Sequence, residues 1–183
     1  MFTTSETKPR QLILIRHARA ISATENGGDD FTRSLSESGK KAIAIITRYL
    51  GLIGIHPEMM VTSSSTRTSM TAQYIVDRFK IQQFMKVQAL YDAFLDPEHD
   101  HEALYMSLLR GAPDDCHTMM AVGHGENLEK CIRYLTGQCM VHMDEGSLVI
   151  LTLNDDIYSW SQAGADTMKL VYYLTPRFLQ LEN

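Results

Sequence analysis

Three short apolar runs constrain the fold of this chain more than any other feature. Residues 12–15, 59–62 and 118–122 are each entered from polar sequence. Their length and continuity are those of strands buried on both faces, as in a parallel sheet. Between them lie segments of helical spacing. Residues 39–50 carry Ala42, Ile43, Ile46, Tyr49 and Leu50 on one stripe, with Ser36 as N-cap and Gly51 and Gly54 beyond,. A second helix is expected over 67–79, a third from Pro97 to about Leu109, and a fourth from Gly125 to about Leu135,. Further strands are expected at 87–90, 147–153 and 168–174, with 157–161 pairing with the last two. Strands alternating with helices imply an α/β domain: an α/β/α layered structure around a central, mostly parallel sheet.

The 183 residues fit one domain, 1–183, with a polar tail over 1–10,. A hydrophobic fraction of 44% supplies a core without staples,. Seventeen basic and twenty-two acidic residues give a net charge of −5, which argues against nucleic acid or a membrane surface as partner,. Cys116, Cys131 and Cys139 form no C-x-x-C pair, and the expectation is reduced thiols in a cytoplasmic protein,. The first residues do not read as a signal peptide, and no run approaches the roughly 18 apolar residues of a membrane span.

The chemistry sits at strand ends. The first strand runs into Arg16-His17, the second into Ser63-Ser64-Ser65-Thr66-Arg67, and the fourth into Gly123-His124-Gly125. In an open parallel sheet the carboxyl ends of the strands border the ligand crevice. Two arginines and two histidines, far apart in sequence, are therefore expected to converge. Guanidinium forks suit a phosphate dianion, and Arg67 opens a helix whose N–H groups also favour an anion. A neutral imidazole is a competent nucleophile. His17 can attack phosphorus in line while Arg16, Arg67 and His124 stabilise the equatorial oxygens, with neither metal nor cofactor.

Four segments carry a family resemblance. Leu14 to Ala18 (L-I-R-H-A) resembles the R-H-G or R-H-A signature of the histidine phosphatase superfamily, the phosphoglycerate-mutase-like fold. Arg33 to Gly39 resembles its R-P-L-T-x-x-G segment, and Ser63 to Ala72 its S-P-x-x-R-x-x-Q-T-A segment, with Ser64 in place of Pro and Met70 in place of Gln. Gly123-His124-Gly125 is similar to its second histidine turn. The resemblance implies His17 as nucleophile and Arg16, Arg67 and His124 as phosphate ligands. It implies Asp92 as general acid, standing where the family commonly has Glu. Arg19 and Arg33 have two readings, substrate contact or surface arginine. The short interval from Arg67 to His124 implies an open pocket and resembles the short bacterial protein phosphohistidine phosphatases. The expected partner is thus a phosphorylated (phosphohistidine) protein. The alternatives are a small phosphate ester, hydrolysed by a phosphomonoesterase or rearranged by a mutase, and a non-catalytic phosphate-binding domain. A nucleotide-binding domain is disfavoured, because no G-x-G-x-x-G follows the first strand,.

Other residues have plainer readings. Glu126 is expected to point away from a phosphate or to cap its helix. His99-Asp100-His101-Glu102 is sequential at a helix start and should fan out rather than hold a metal. His56, His117 and His142 read as structural, and the pairs Met59-Met60 and Met119-Met120 as core.

Overall fold

The computed structural model describes residues 8–96, 98 and 100–179. One six-stranded sheet organises them. Its strands are β1 (Gln11–Arg16), β2 (Met59–Ser63), β3 (Gln83–Val87), β4 (Thr118–Gly123), β5 (Leu148–Leu153) and β6 (Met168–Leu174). Their spatial order is β3-β2-β4-β1-β5-β6. The first four run parallel to one another, while β5 and β6 are added beside β1 by antiparallel pairing.

Alternation along β1 explains its continuous apolar sequence. Leu12 and Leu14 join one core with Met59, Val61, Met119 and Ala121. Ile13 and Ile15 join the other, with Met60, Met120 and Val122. Each methionine pair is thus split across the sheet, one residue to each core. Helices α1 (Glu37–Leu52), α2 (Thr66–Phe79) and the short α6 (Pro176–Leu179) cover the second face; α3 (Ala89–Leu95), α4 (His101–Arg110) and α5 (Gly125–Thr136) cover the first.

Three expectations need correction or restriction. The third strand lies at Gln83–Val87, not 87–90. It is an edge strand with largely exposed side chains, so it lacks the apolar run that marks the others. The apolar residues that suggested a strand, Leu90 with Tyr91 and Ala93, are the buried face of α3. Residues 157–161 do not pair with the sheet. Trp160–Gln162 is a 3-10 turn with a Ser159/Gln162 capping box, and buried Trp160 donates its indole N–H to the Cys116 carbonyl at 2.7 Å,. The helix expected to open at Pro97 begins at His101 among the described residues, with Asp100 as its N-cap; Pro97 itself lies outside them.

The sheet places the site. Arg16 at the end of β1 is in register with Gly123 at the end of β4, and β2 ends alongside at Ser63. The His17 N–H continues the ladder to the Gly123 carbonyl at 3.0 Å. Arg16, His17, Ser63 and His124 therefore share one edge, where strand ends border a crevice.

The segment before α1 is fixed to this edge. Ser36 accepts from the Gly39 N–H at 3.1 Å, and its own N–H donates to the Arg19 carbonyl at 2.9 Å. Gly39 packs so closely on that carbonyl that a Cβ there would collide with backbone oxygen. We therefore expect Gly39→Ala to lower unfolding stability by about 1–3 kcal/mol. Urea denaturation measures this, and a wild-type midpoint would show that the α1 contact yields freely.

Candidate active site

His17 follows β1 and is 6% exposed. Its Nδ1 lies 3.0 Å from the Ala18 carbonyl oxygen. A carbonyl can only accept, so Nδ1 carries the proton and Nε2 keeps its lone pair. Nε2 is 3.3 Å from Nε of Arg67, which donates to it. Burial is the main cause that pushes the His17 pKa down to about 4; the Ala18 carbonyl opposes this, and Arg67, Arg16 and Arg33 add to it,. At neutral pH His17 is a neutral imidazole whose unprotonated Nε2 accepts from Arg67.

Arg67 stands in the first turn of α2 and is 1% exposed. Its Nη1 donates to the Asp30 carbonyl at 2.7 Å, and Nη2 to the Asp30 carboxylate at 3.0 Å. Nη2 also lies 3.4 Å from Nδ1 of His124. An arginine has no acceptor, so that Nδ1 accepts and His124 carries its proton on Nε2, 3.1 Å from the Ser63 hydroxyl,. The two histidines thus hold opposite tautomers, both fixed by Arg67. Burial lowers the His124 pKa to about 2, followed by His17 and Arg67, with Asp30 opposing. The His17 and His124 rings meet edge to face at 5.4 Å.

Arg16 donates through Nη1 to the Met143 carbonyl at 2.7 Å. Gly125 leaves room for it, since a Cβ there would sit 3.3 Å from the guanidinium. Its Nε is buried without a hydrogen-bond partner among the described residues. A buried unsatisfied donor beside a cavity is a place for an acceptor. Arg33 bonds the Ile21 carbonyl at 2.7 Å and the Asp30 carboxylate at 2.9 Å.

These groups line one cavity of about 540 Å³, together with Phe94, Gly125, Glu126, Glu129, His142 and Glu145. The structure thus brings together Arg16, His17, Arg33, Arg67 and His124. It does not bring in the other two. Asp92 is exposed on the outer side of α3 and accepts from the Gln88 amide at 2.9 Å, away from the cavity. The family resemblance implied it as general acid; in α3 its side chain is exposed, and Phe94 lines the cavity instead. Phe94 stacks on His124 at 4.1 Å and lies under the Arg67 guanidinium at 5.5 Å. The Arg19 side chain is exposed, and only its carbonyl serves the structure.

Besides Phe94, the sequence reading did not place Asp30, Glu126, Glu129, His142 or Glu145 at the site. Asp30 bonds Arg33, Arg67 and the Tyr91 hydroxyl, the last at 3.1 Å. Burial works to raise its pKa, but these partners outweigh it and the carboxyl is lowered. Within a polar loop, Asp30 carries no signal that separates it from Asp29. Glu126 lines the cavity rather than turning away, while still occupying the first turn of α5. His142 also lines it, with Nδ1 3.2 Å from Glu129. Of the run His99-Asp100-His101-Glu102, His99 lies outside the described residues and His101 is buried in α4. Among the described residues no group of three or more His, Cys, Asp or Glu is placed to hold a metal.

Known structures with this architecture are numerous. The chain superposes on the protein histidine phosphatase SixA, solved in complex with tungstate, with a TM-score of 0.73, covering 92% of this chain and 99% of that one at 16% identity. The fold is that of the histidine phosphatases. An Agrobacterium tumefaciens protein bearing the name phosphohistidine phosphatase SixA gives the same TM-score at 23% identity, over 92% of this chain and 99% of its own. The mycobacterial glucosyl-3-phosphoglycerate phosphatase matches with a TM-score of 0.59 at 17% identity, over 88% and 97%. In sequence, the chain is 29% identical over 133 residues to an uncharacterized chloroplastic protein of Arabidopsis thaliana, covering 70% of this chain. It spans 60% of the length of that relative. No family model matches the chain.

The buried histidines make a pH prediction. Their folded pKa values lie below the ordinary 6.5, so the unfolded chain takes up protons first as pH falls,. Their contribution is full above about 6.5 and is lost as pH falls, through about 4 for His17 and through about 2 for His124,. Denaturant titrations should show stability declining across that window, and His124→Gln should flatten the decline. Imidazole nitrogen NMR at pH 5.5 should find His17 neutral with its proton on Nδ1. A protonated His17 ring at that pH would contradict the reading.

Proposed function

We propose that this chain is a phosphatase that forms a phosphohistidine on Nε2 of His17. The observation that carries this is the tautomer: the Ala18 carbonyl holds the proton on Nδ1, leaving the Nε2 lone pair facing Arg67 in the cavity. A phosphate oxygen takes over the Arg67 Nε–H and frees the Nε2 lone pair; Nε2 then attacks phosphorus in line, the Nε2–P bond forms, and the bond to the leaving group breaks, the leaving group departing on the opposite side and taking its proton from water. Water then attacks the same phosphorus and frees His17. Arg16, with its unsatisfied Nε, and Arg67 counter the charge on the equatorial oxygens, and the Nε2–H of His124 can turn from Ser63 to donate there as well,. The arginines supply the positive charge that in-line displacement needs, so the proposal includes no metal.

Within this chemistry we favour a phosphohistidine protein as substrate. Two features support it. The cavity is broad enough to receive a side chain presented by another protein. Asp92, the residue expected to protonate a leaving group, is outside it. The P–N bond of a phosphohistidine needs less help from a positioned acid than an alkyl ester does. The SixA histidine phosphatases share this fold, which agrees with the choice. A cytoplasmic setting belongs to the same proposal: Cys116, Cys131 and Cys139 are all unpaired,.

The test is turnover of a phosphohistidine protein beside nitrophenyl and alkyl phosphates. The phosphohistidine protein should be hydrolysed with the highest kcat/KM. Folded His17→Ala should lose about 10³-fold or more in kcat on every substrate, and exhaustive chelation should leave the wild-type rate unchanged. Near-normal activity in His17→Ala would overturn the mechanism, and loss on chelation restored by a divalent metal would overturn its metal independence.

A further inference from the structure

A guanidinium has two forked edges of N–H donors, and in Arg67 they face different partners. Nε and Nη2 form one edge. They meet Nε2 of His17 at 3.3 Å and Nδ1 of His124 at 3.4 Å, on the cavity side. Nη1 and Nη2 form the other edge. A single residue closes it: Asp30, through its backbone carbonyl at 2.7 Å and its carboxylate at 3.0 Å. Asp30 stands behind Arg67 rather than among the residues that line the cavity.

The loop that carries Asp30 is braced to present it. The Asn26 amide bridges the Asp29 carbonyl and the Thr32 hydroxyl, both at 2.8 Å. The Asp29 carboxylate turns back on its own loop, accepting from the Phe31 N–H at 2.9 Å and the Thr32 hydroxyl at 2.6 Å,. The Phe31 carbonyl accepts from the N–H of Thr66, the first residue of α2, at 2.9 Å. Backbone thus fastens the loop beside Arg67, and Asp30 is the acid that reaches it. Both oxygens of that carboxylate are held. Oδ1 accepts from Arg33 at 2.9 Å, and Oδ2 accepts from the Tyr91 hydroxyl at 3.1 Å as well as from Arg67.

The proposed chemistry uses the other edge. An oxyanion that takes the Nε–H and one Nη2–H of Arg67 lies against Nε2 of His17, where in-line attack starts. A guanidinium free to turn can offer either edge; one clamped at Nη1 and Nη2 offers Nε and Nη2. The negative charge of Asp30 acts the other way, since it repels an incoming phosphate. Aim and charge therefore have opposite signs, and the sign of a substitution separates them.

We infer that Asp30 is a positioning residue for phosphoryl transfer: held by Arg33 and Tyr91, it clamps the Nη1/Nη2 edge of Arg67 and so presents the Nε/Nη2 edge to the phosphate beside His17. The inference rests on the phosphatase reading given above.

The experiment measures vanadate inhibition and nitrophenyl phosphate turnover for the wild-type protein, Asp30→Ala, Asp30→Asn and Asp29→Asn, each checked for its fold by circular dichroism. Asp29→Asn removes the same charge one residue away, from a side chain that bonds within its own loop. Asp30→Ala keeps the backbone carbonyl contact and loses the carboxylate. It should weaken vanadate about tenfold and lower kcat by about as much. Asp30→Asn, which keeps one oxygen for Arg67, should fall between, and Asp29→Asn should stay near wild type. Imidazole nitrogen NMR should show the His124 proton, held on Nε2 in the wild type, distributed over both nitrogens in Asp30→Ala, because Nδ1 loses its fixed donor. Vanadate bound as tightly or more tightly by Asp30→Ala would reduce Asp30 to a repelling charge and overturn this inference alone. An unchanged His124 tautomer there would show that Arg67 keeps its aim without the carboxylate, with the same result. A loss in Asp29→Asn as large as in Asp30→Ala would assign the effect to the loop as a whole and also overturn it. A wild-type protein that neither binds vanadate nor turns over any phosphate substrate would overturn the phosphatase reading and the inference with it.

Discussion

The buried guanidinium of Arg67 is the constraint on which the rest of the site depends. A cation taken from water into a protein interior is tolerated only with partners, and removing one partner leaves an uncompensated charge. Arg67 finds the carbonyl and carboxylate of Asp30, Nε2 of His17 and Nδ1 of His124. Each contact has a consequence. Asp30 ties the loop before α1 to the site; the two ring nitrogens fix both tautomers. The same charge helps to keep both imidazoles neutral. The groups that would bind a phosphate are thus held in place by one another before any substrate arrives.

This hub explains what the sequence made legible. The apolar runs of β1, β2 and β4 are buried on both faces, so their hydrophobicity is continuous and their ends are easy to find. Whatever follows a parallel strand falls at the sheet edge, which is why Arg16, His17, Arg67 and His124 could be brought together from motifs far apart. Ser36 was legible as an N-cap because its chemistry is local.

The misses share a physical origin. Edge strand β3 shows its side chains to solvent and carries no buried period. Helix α3 is only seven residues long, too short for its spacing to be distinguished from a strand, and Asp92, which the family resemblance implied as general acid, lies on its exposed side. Asp30 reaches Arg67 from a loop, and Phe94 and Glu145 reach the cavity from a short helix and a turn. Their roles depend on tertiary placement and not on periodicity. Phe94 lies two residues from Asp92, and only the helical geometry of that segment decides which of them faces His124.

The cationic and acidic walls of the cavity follow from the same framework. Helix α5 begins at the second histidine turn, and Glu126 in its first turn suits the helix dipole while facing the cavity,. One element thereby supplies both a phosphate-facing histidine and an acidic wall. Everything proposed for this chain requires that phosphorus bond to His17. The most direct measurement is rapid quenching in alkali during turnover, followed by peptide mapping of the phosphorylated protein. The account predicts a transient phosphoryl group on Nε2 of His17, decaying as inorganic phosphate appears. Turnover with no phosphoprotein, or with the phosphoryl group on another residue, would contradict it.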